Sequence, residues 1–204
     1  MTALALEDVR GYMDIVCPEE SVLRNEKLLR WLFGDFGGTK DTEDDMIRQA
    51  MGKKFTGALG EDAVLDVLRH VLNMSPDDIE VQSAYKLTLL GGSEKTFKID
   101  LETKKYILEV KCGTYLTDGT AHQKLFGTDR EKAEVIDALD KDLLVVCVGG
   151  AERYARLMNI SVRCAGAHRT KWVMFTDLLT ESIHALMNAP GDDVLSLEDV
   201  VRKC

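Results

Sequence analysis

The sequence predicts an α/β fold: a mixed central β-sheet of four or five strands, flanked by helices and preceded by a helical N-terminal region. Two observations indicate this class. Near residue 79 the spacing of apolar residues changes from the period of a helix to that of strands, and the order helix, three strands, helix, strand results. The run 143–148 is continuously apolar over the length of a strand, which is typical of a strand buried on both faces.

The chain is predicted to form one domain with an N-terminal extension. Residues 1–57 have a helical pattern, broken at Pro18 and at the glycines of 34–38. No Pro/Gly/Ser-rich linker, low-complexity segment or repeat interrupts the rest of the sequence. Residues 58–204 are therefore predicted to be the core domain.

The clearest helix is predicted at 58–73, where apolar residues recur at intervals of four, at Val64, Leu68 and Leu72. Glu61 lies three residues before Val64, so it falls on the same face, at the end of the apolar stripe. The residues expected to point to solvent are Asp62, Asp66 and Arg69.

Three strands are predicted next, at 79–87, 96–101 and 106–112, because apolar residues alternate with others in each. Sequences of the capping-box type at Thr120–Gln123 and Thr128–Glu131 then indicate two helical stretches. Beyond the apolar strand, the remaining predicted elements are a helix at 151–158, a short strand at 172–175 and a helix at 176–186.

The second and third strands are close enough in sequence to form a hairpin. A two-residue turn at Thr103-Lys104 or at Lys104-Lys105 would place Asp100 opposite Ile107 or Glu109. In either register Asp100 shares a face with Glu109 and with the lysine two residues further on, since opposed side chains project from the same face. The other face would then be wholly apolar and could pack into the core.

Two acids and a lysine on one rigid face suggest metal chemistry. The carboxylates of Asp100 and Glu109 would repel each other, and a hard divalent cation such as Mg²⁺ removes that conflict by binding both. Such an ion can polarise a phosphodiester and lower the pKa of a bound water. Lys111 could orient or deprotonate the attacking water, or neutralise charge that develops on the phosphate.

These residues also carry a resemblance to a known family. Asp100, followed after eight residues by Glu109-Val110-Lys111, resembles the D-x(n)-(E/D)-x-K signature of PD-(D/E)XK nucleases. The resemblance covers roughly residues 58–150 and implies the restriction endonuclease-like αβββαβ core. It implies Asp100 and Glu109 as metal ligands, the Val110 carbonyl as a backbone ligand and Lys111 as the catalytic lysine.

The resemblance implies further site residues. Glu61 matches an acid that many members carry on the preceding helix, where it is both catalytic and a metal ligand. Gln123 and Lys124 match positions on the helix after the motif, and together with Lys98 they are the predicted substrate contacts. The implied cofactor is Mg²⁺, for which Mn²⁺ could substitute. Structural alternatives stay open, because Glu61 also suits the first turn of a helix and Gln123 a capping box. Ile99 departs from the family pattern, which has proline there.

The function implied is hydrolysis of double-stranded DNA by a metal-dependent, site-specific endonuclease. The segments Gly113-Thr114-Tyr115 and Leu125-Phe126-Gly127 are loosely similar to type II restriction endonucleases, which usually work as homodimers. Residues 1–57 would then serve dimerisation or DNA recognition. Two alternatives remain: a repair endonuclease, resolvase or exonuclease with the same core, or a non-catalytic DNA-binding regulatory protein.

Composition limits these expectations. The net charge is −9, which is unfavourable for binding a polyanion such as DNA. The segment 94–132, however, carries eight Lys and Arg against seven Asp and Glu, so this segment would repel a polyanion less than the rest of the chain. Neither a membrane-spanning apolar run nor a secretory signal pattern is present in the sequence. Five scattered cysteines suggest reduced thiols, so an intracellular location, cytoplasmic or nuclear, is expected.

Overall fold

The computed structural model confirms a mixed α/β fold with helices and an open five-stranded mixed sheet. The residues that the structure describes are 4–33, 57–88, 91–112, 136–148, 169–191 and 194–204. They divide into two compact units, one formed by Met1–Ser75 with Val173–Cys204 and the other by Pro76–Trp172. The predicted boundary between residues 57 and 58 stays a prediction.

The elements lie in an order close to that expected from the apolar pattern. The helices are α1 (Leu6–Val16), α2 (Glu26–Phe33), α3 (57–66, continued by a π-helical turn at Val67–Val71), α4 (136–139), α5 (Phe175–Asn188) and α6 (Leu197–Val201). The strands are β1 (Ile79–Thr88), β2 (Glu94–Thr103), β3 (Tyr106–Cys112), β4 (Asp142–Val148) and β5 (Thr170–Met174). Short 3₁₀ turns lie at Val22–Arg24 and Pro76–Asp78. The capping boxes predicted at 120–123 and 128–131 and the helix predicted at 151–158 lie outside the described residues.

Helix α3 buries the apolar stripe that the sequence predicts. Val64, Leu68 and Leu72 are all fully buried in the first unit. The helix ends in a π-helical turn, in which the Leu72 amide donates to the Val67 carbonyl at 2.8 Å. Asn73 then adopts a positive φ of 50°, the left-handed conformation in which helices commonly end and which asparagine tolerates.

The prediction that Asp66 points to solvent is wrong. Its Oδ2 accepts a hydrogen bond from the Ser21 hydroxyl at 2.6 Å and another from the Val22 amide at 3.0 Å. The carboxylate thereby satisfies a backbone donor at the start of the 3₁₀ turn, which no intrahelical partner could reach. The helical period alone could not predict this contact, because Ser21 lies 45 residues away in sequence.

The sheet has the order β1-β2-β3-β4-β5 and combines both kinds of pairing. Strands β1, β2 and β3 are successively antiparallel, whereas β3 and β4 are parallel. Glu102 lies opposite Ile107, so the β2–β3 turn is Lys104-Lys105, the second of the two predicted registers.

One core cluster of the second unit lies on one face of this sheet. Strand β4 is buried from Leu143 through Val148, as its continuous apolar run predicts. Helix α4 contributes Ile136 to that core. The buried members of this core cluster are Phe97, Ile99, Ile107, Ile136, Leu143, Val145, Cys147 and Trp172. Across the described ranges, none of the helices is long and apolar enough to cross a membrane.

Candidate functional site

Glu109 and Lys111 form an ion pair on the face of β3 that is directed toward the core cluster. The Lys111 ammonium donates a hydrogen bond to Glu109 Oε1. The side chain of Glu109 is only 10% exposed and that of Lys111 only 19%. Their partners on β4 are Val145 and Cys147, both fully buried. Burial raises the pKa of the Cys147 thiol to about 12, although the nearby charge of Lys111 acts in the opposite direction.

Stability alone does not account for this pair. Moving two charges out of water costs several kcal/mol per ion, and well-packed apolar residues of the same volume are often as stable or more stable. The face around Glu109 offers apolar neighbours that such residues could contact. A buried pair of this kind is therefore a candidate for function.

Asp100 is brought to the same place from the neighbouring strand. Its Oδ2 accepts a hydrogen bond from the Val110 amide at 2.8 Å. Val110 lies between Glu109 and Lys111 in the chain, so all three predicted side chains belong to one short stretch of the hairpin. The β2–β3 ladder ends with the pair Leu101 and Leu108, just before this contact. The carboxylate thus accepts the Val110 amide, which in a longer ladder would donate to a backbone carbonyl of the neighbouring strand.

The predicted separation of the hairpin into a polar and a wholly apolar face is wrong. It places Ile107 on the opposite face from Phe97 and Ile99, yet all three pack in one core cluster. Strict alternation therefore fails within β2, between Ile99 and Glu102. The cause is a break in the pleat, since the facing positions Gln82 and Asp100 are missing from an otherwise continuous β1–β2 register.

Gln82 marks the break. Its φ is +55°, in the left-handed region that a residue with a side chain enters at a cost of roughly 1–2 kcal/mol. Val81 stays paired with Leu101, and Ser83 stays paired with Ile99, so neither strand has an extra residue at this point. The side chains that follow Gln82 therefore project from the face opposite to the one that strict alternation would give them. Such a conformation persists only where surrounding contacts stabilise it.

Sequence reasoning missed Glu102, the carboxylate that bridges β1, β2 and the start of β4 next to this break. This carboxylate is only 4% exposed. It accepts hydrogen bonds from the Ser83 hydroxyl at 2.8 Å, from the Tyr85 hydroxyl at 2.6 Å and from the Lys141 ammonium. Lys141 also donates to the Thr103 carbonyl at 2.8 Å, which ties the start of β4 to the end of β2.

The pKa values reflect these bonds. Burial would raise the pKa of Glu102, but hydrogen bonds from Lys141, Tyr85 and Ser83 outweigh burial and hold it below its usual value. The hydrogen bond to Glu102 raises the pKa of Tyr85 to about 12, since a deprotonated phenol could not donate it. Hydrogen bonds to a charged group contribute about 1.5–3 kcal/mol each, enough to offset the strain at Gln82.

A small pocket opens beside the ion pair. Glu109 and Lys98 are its charged lining residues, and the rest of the lining is apolar: Phe97, Ile99, Ile107, Ile136 and Leu143. Low local polarity strengthens the electrostatic interactions of any charge that lies there. Lys98, a predicted substrate contact, has an exposed side chain.

The remaining predicted site residues are Glu61, Gln123 and Lys124. Glu61 is half-buried on α3 and belongs to the first unit. Gln123 and Lys124 lie outside the described residues. Their roles, and that of Lys98, stay predictions.

The hairpin offers oxygen donors of the kind that a divalent metal binds. Within the described ranges, no group of three or more His, Cys, Asp or Glu side chains is arranged to hold a metal ion. Mg²⁺ does not require one, because proteins commonly bind it through one or two carboxylates and leave other positions to water and phosphate. The side chains of Asp100 and Glu109 and the backbone of Val110 carry oxygen atoms of that kind.

No protein family, curated protein or solved structure matches the chain.

Proposed function

We propose that this protein is a metal-dependent endonuclease that hydrolyses DNA phosphodiester bonds, with site-specific cleavage of the restriction type. One observation carries the proposal: the Asp100 carboxylate accepts the Val110 amide, while Glu109 and Lys111 pair on either side of that amide. Two carboxylates that can hold a divalent ion and a lysine that can meet a phosphate are groups suited to metal-assisted hydrolysis of a phosphodiester.

The proposed roles follow from the chemistry of each group. Asp100, Glu109 and the Val110 carbonyl would hold Mg²⁺. When bound, that ion would activate water and stabilise the leaving oxygen. The Val110 amide orients the Asp100 carboxylate. Lys111 would carry positive charge to the scissile phosphate, or accept a proton from the attacking water.

The mostly apolar surroundings support this assignment. Glu109 and Lys111 lie among buried residues of β4, where charges interact more strongly than in water. Each would therefore act strongly on a phosphate placed beside it. A solvated salt bridge on an exposed strand would not have this property.

Two alternatives are kept. A repair endonuclease, junction resolvase or exonuclease with the same core would use the same residues, so only substrates can separate it. A non-catalytic DNA-binding regulatory protein is favoured by a different observation, namely that Lys111 already neutralises Glu109. In that case the lysine, rather than a metal ion, would balance the charge of the Glu109 carboxylate.

The test is cleavage of supercoiled plasmid and long linear DNA in Mg²⁺, Mn²⁺ or EDTA. The informative variant is Asp100→Asn, which keeps an oxygen to accept the Val110 amide but removes the charge. Cleavage is expected to fall about a hundredfold or more in this variant. Lys111→Ala should also lose cleavage, and Lys104→Ala, which removes an exposed lysine from the hairpin turn, is its matched control.

Each outcome has one meaning. Discrete bands that require the metal, Asp100 and Lys111 would establish a site-specific endonuclease. A metal-dependent smear that requires the same residues would favour the repair or exonuclease alternative. Intact DNA under all conditions would refute the catalytic proposal, and Mg²⁺-dependent DNA binding without cleavage would favour the regulatory protein.

A further inference from the structure

The buried Glu102 cluster joins the two halves of β1 across the break at Gln82. Ser83 and Tyr85 follow Gln82 in the strand, and both donate hydrogen bonds to Glu102. The residue of β1 that is paired with Glu102 is Glu80, which precedes Gln82. In a regular pleat, side chains paired with Ile99 and Phe97 would face away from Glu102. Glu102 can therefore accept both hydroxyls only while the strand is reversed at Gln82.

The same break determines where Asp100 lies. Gln82 is the position opposite Asp100, and that pair alone is missing from the β1–β2 register. If the strand returned to a regular pleat, Gln82 could leave its left-handed conformation and the missing pair could form. Asp100 would then follow the alternation of β2 and would leave the Val110 amide.

We infer that Glu102 is a positioning residue, which keeps the break in β1 and thereby holds the Asp100 carboxylate against the Val110 amide. Lys141 supports it by neutralising the carboxylate and fixing its orientation through the Thr103 carbonyl. This role concerns the geometry of Asp100, and only its consequence for cleavage rests on the proposed function.

The experiment reads the Asp100–Val110 hydrogen bond directly. The double variant Ser83→Ala/Tyr85→Phe removes both hydroxyl donors and leaves the phenyl ring in place. The amide resonance of Val110 is followed by ¹H–¹⁵N NMR with its hydrogen-exchange rate, and Asp100→Ala supplies the value for a lost bond. Thr96→Val is the matched control, since it removes an exposed hydroxyl from the same sheet.

In the double variant, the Val110 amide is expected to move most of the way to its position in Asp100→Ala and to exchange about tenfold faster. The control should leave both values unchanged. A Val110 amide that keeps its wild-type resonance and exchange rate in the double variant would overturn the inference, because Glu102 would then be only a structural clamp. The variant Glu102→Met, which keeps the length of the side chain but removes the acceptor of both hydroxyls, is measured in parallel and must give the same direction of change.

The cleavage assay separates this inference from the proposed function. If the wild-type protein cuts DNA, the double variant should lower kcat with little change in KM, because Asp100 is misplaced while the surface that meets DNA is kept. An unchanged kcat beside a shifted Val110 amide would overturn the claim that this geometry serves catalysis. If the wild type does not cut DNA, the proposed function fails, and the NMR result still decides the role of Glu102.

Discussion

The buried pair of Glu109 and Lys111 makes a sharp prediction about stability. Replacing Lys111 by Met keeps much of the side-chain volume but leaves the Glu109 carboxylate without its cation on an apolar face. The double variant Glu109→Met/Lys111→Met removes both charges. We expect the single variant to be clearly less stable than wild type and the double variant to recover the loss, because the cost arises from a buried carboxylate that has lost its ion pair with Lys111.

The size of the effect follows from the exposure of the two side chains. Breaking a fully buried pair costs about 3–5 kcal/mol, whereas exposed pairs contribute roughly 0–1 kcal/mol. Glu109 and Lys111 are 10% and 19% exposed, which places them between these limits and nearer the first. We therefore expect Lys111→Met to lose about 2–3 kcal/mol and the double variant to lie within about 1 kcal/mol of wild type, or above it.

Urea unfolding at pH 7, followed by circular dichroism, measures these differences. Hydrogen exchange of the β4 amides Val145 and Cys147 reports on the second unit alone, in case the two units unfold separately. If Lys111→Met and wild type differ by less than about 0.5 kcal/mol, the pair is effectively solvated. Burial of the pair would then give no reason to assign it a function.

Two further predictions concern titration and reactivity. One of the five tyrosines should ionise near pH 12, well above its ordinary value of 10.0, and this step should vanish from the ultraviolet titration of Tyr85→Phe. Because the pKa of Tyr85 is raised in the folded state, the stability that this tyrosine contributes is present below pH 10 and is lost as the pH rises toward 12. A Tyr85 that titrates near pH 10 would show that its hydrogen bond to Glu102 is absent. Among the cysteines, exposed Cys204 should react with a thiol reagent at pH 8, whereas buried Cys147, with a pKa of about 12, should stay protected until the protein unfolds. Peptide mapping by mass spectrometry distinguishes the two thiols, and rapid labelling of Cys147 in the native protein would contradict its burial.

Much of the fold could be predicted because it depends on patterns within a few residues. The alternation in β1, β2 and β3 and the apolar run of β4 predicted all four strands, with ends displaced by no more than two residues. Apolar burial makes such patterns reliable, since a one-residue slip would expose the whole buried set. The hairpin that carries Asp100 and Glu109 on its two strands was predictable for the same reason, because the turn between them is short.

The contacts that the tertiary structure decided depend on partners that are distant in sequence. Glu102 receives its hydrogen bonds from residues 19, 17 and 39 positions away, so no local pattern marked it as buried. The break at Gln82 is visible only in the pairing of β1 with β2, and it overturned the predicted faces. A helix or strand period records which side chains must leave water. It does not predict which buried polar groups will form hydrogen bonds with each other, because that depends on how separate elements pack. The position of Asp100 depends on hydrogen bonds of this kind, those that Glu102 accepts from Ser83 and Tyr85.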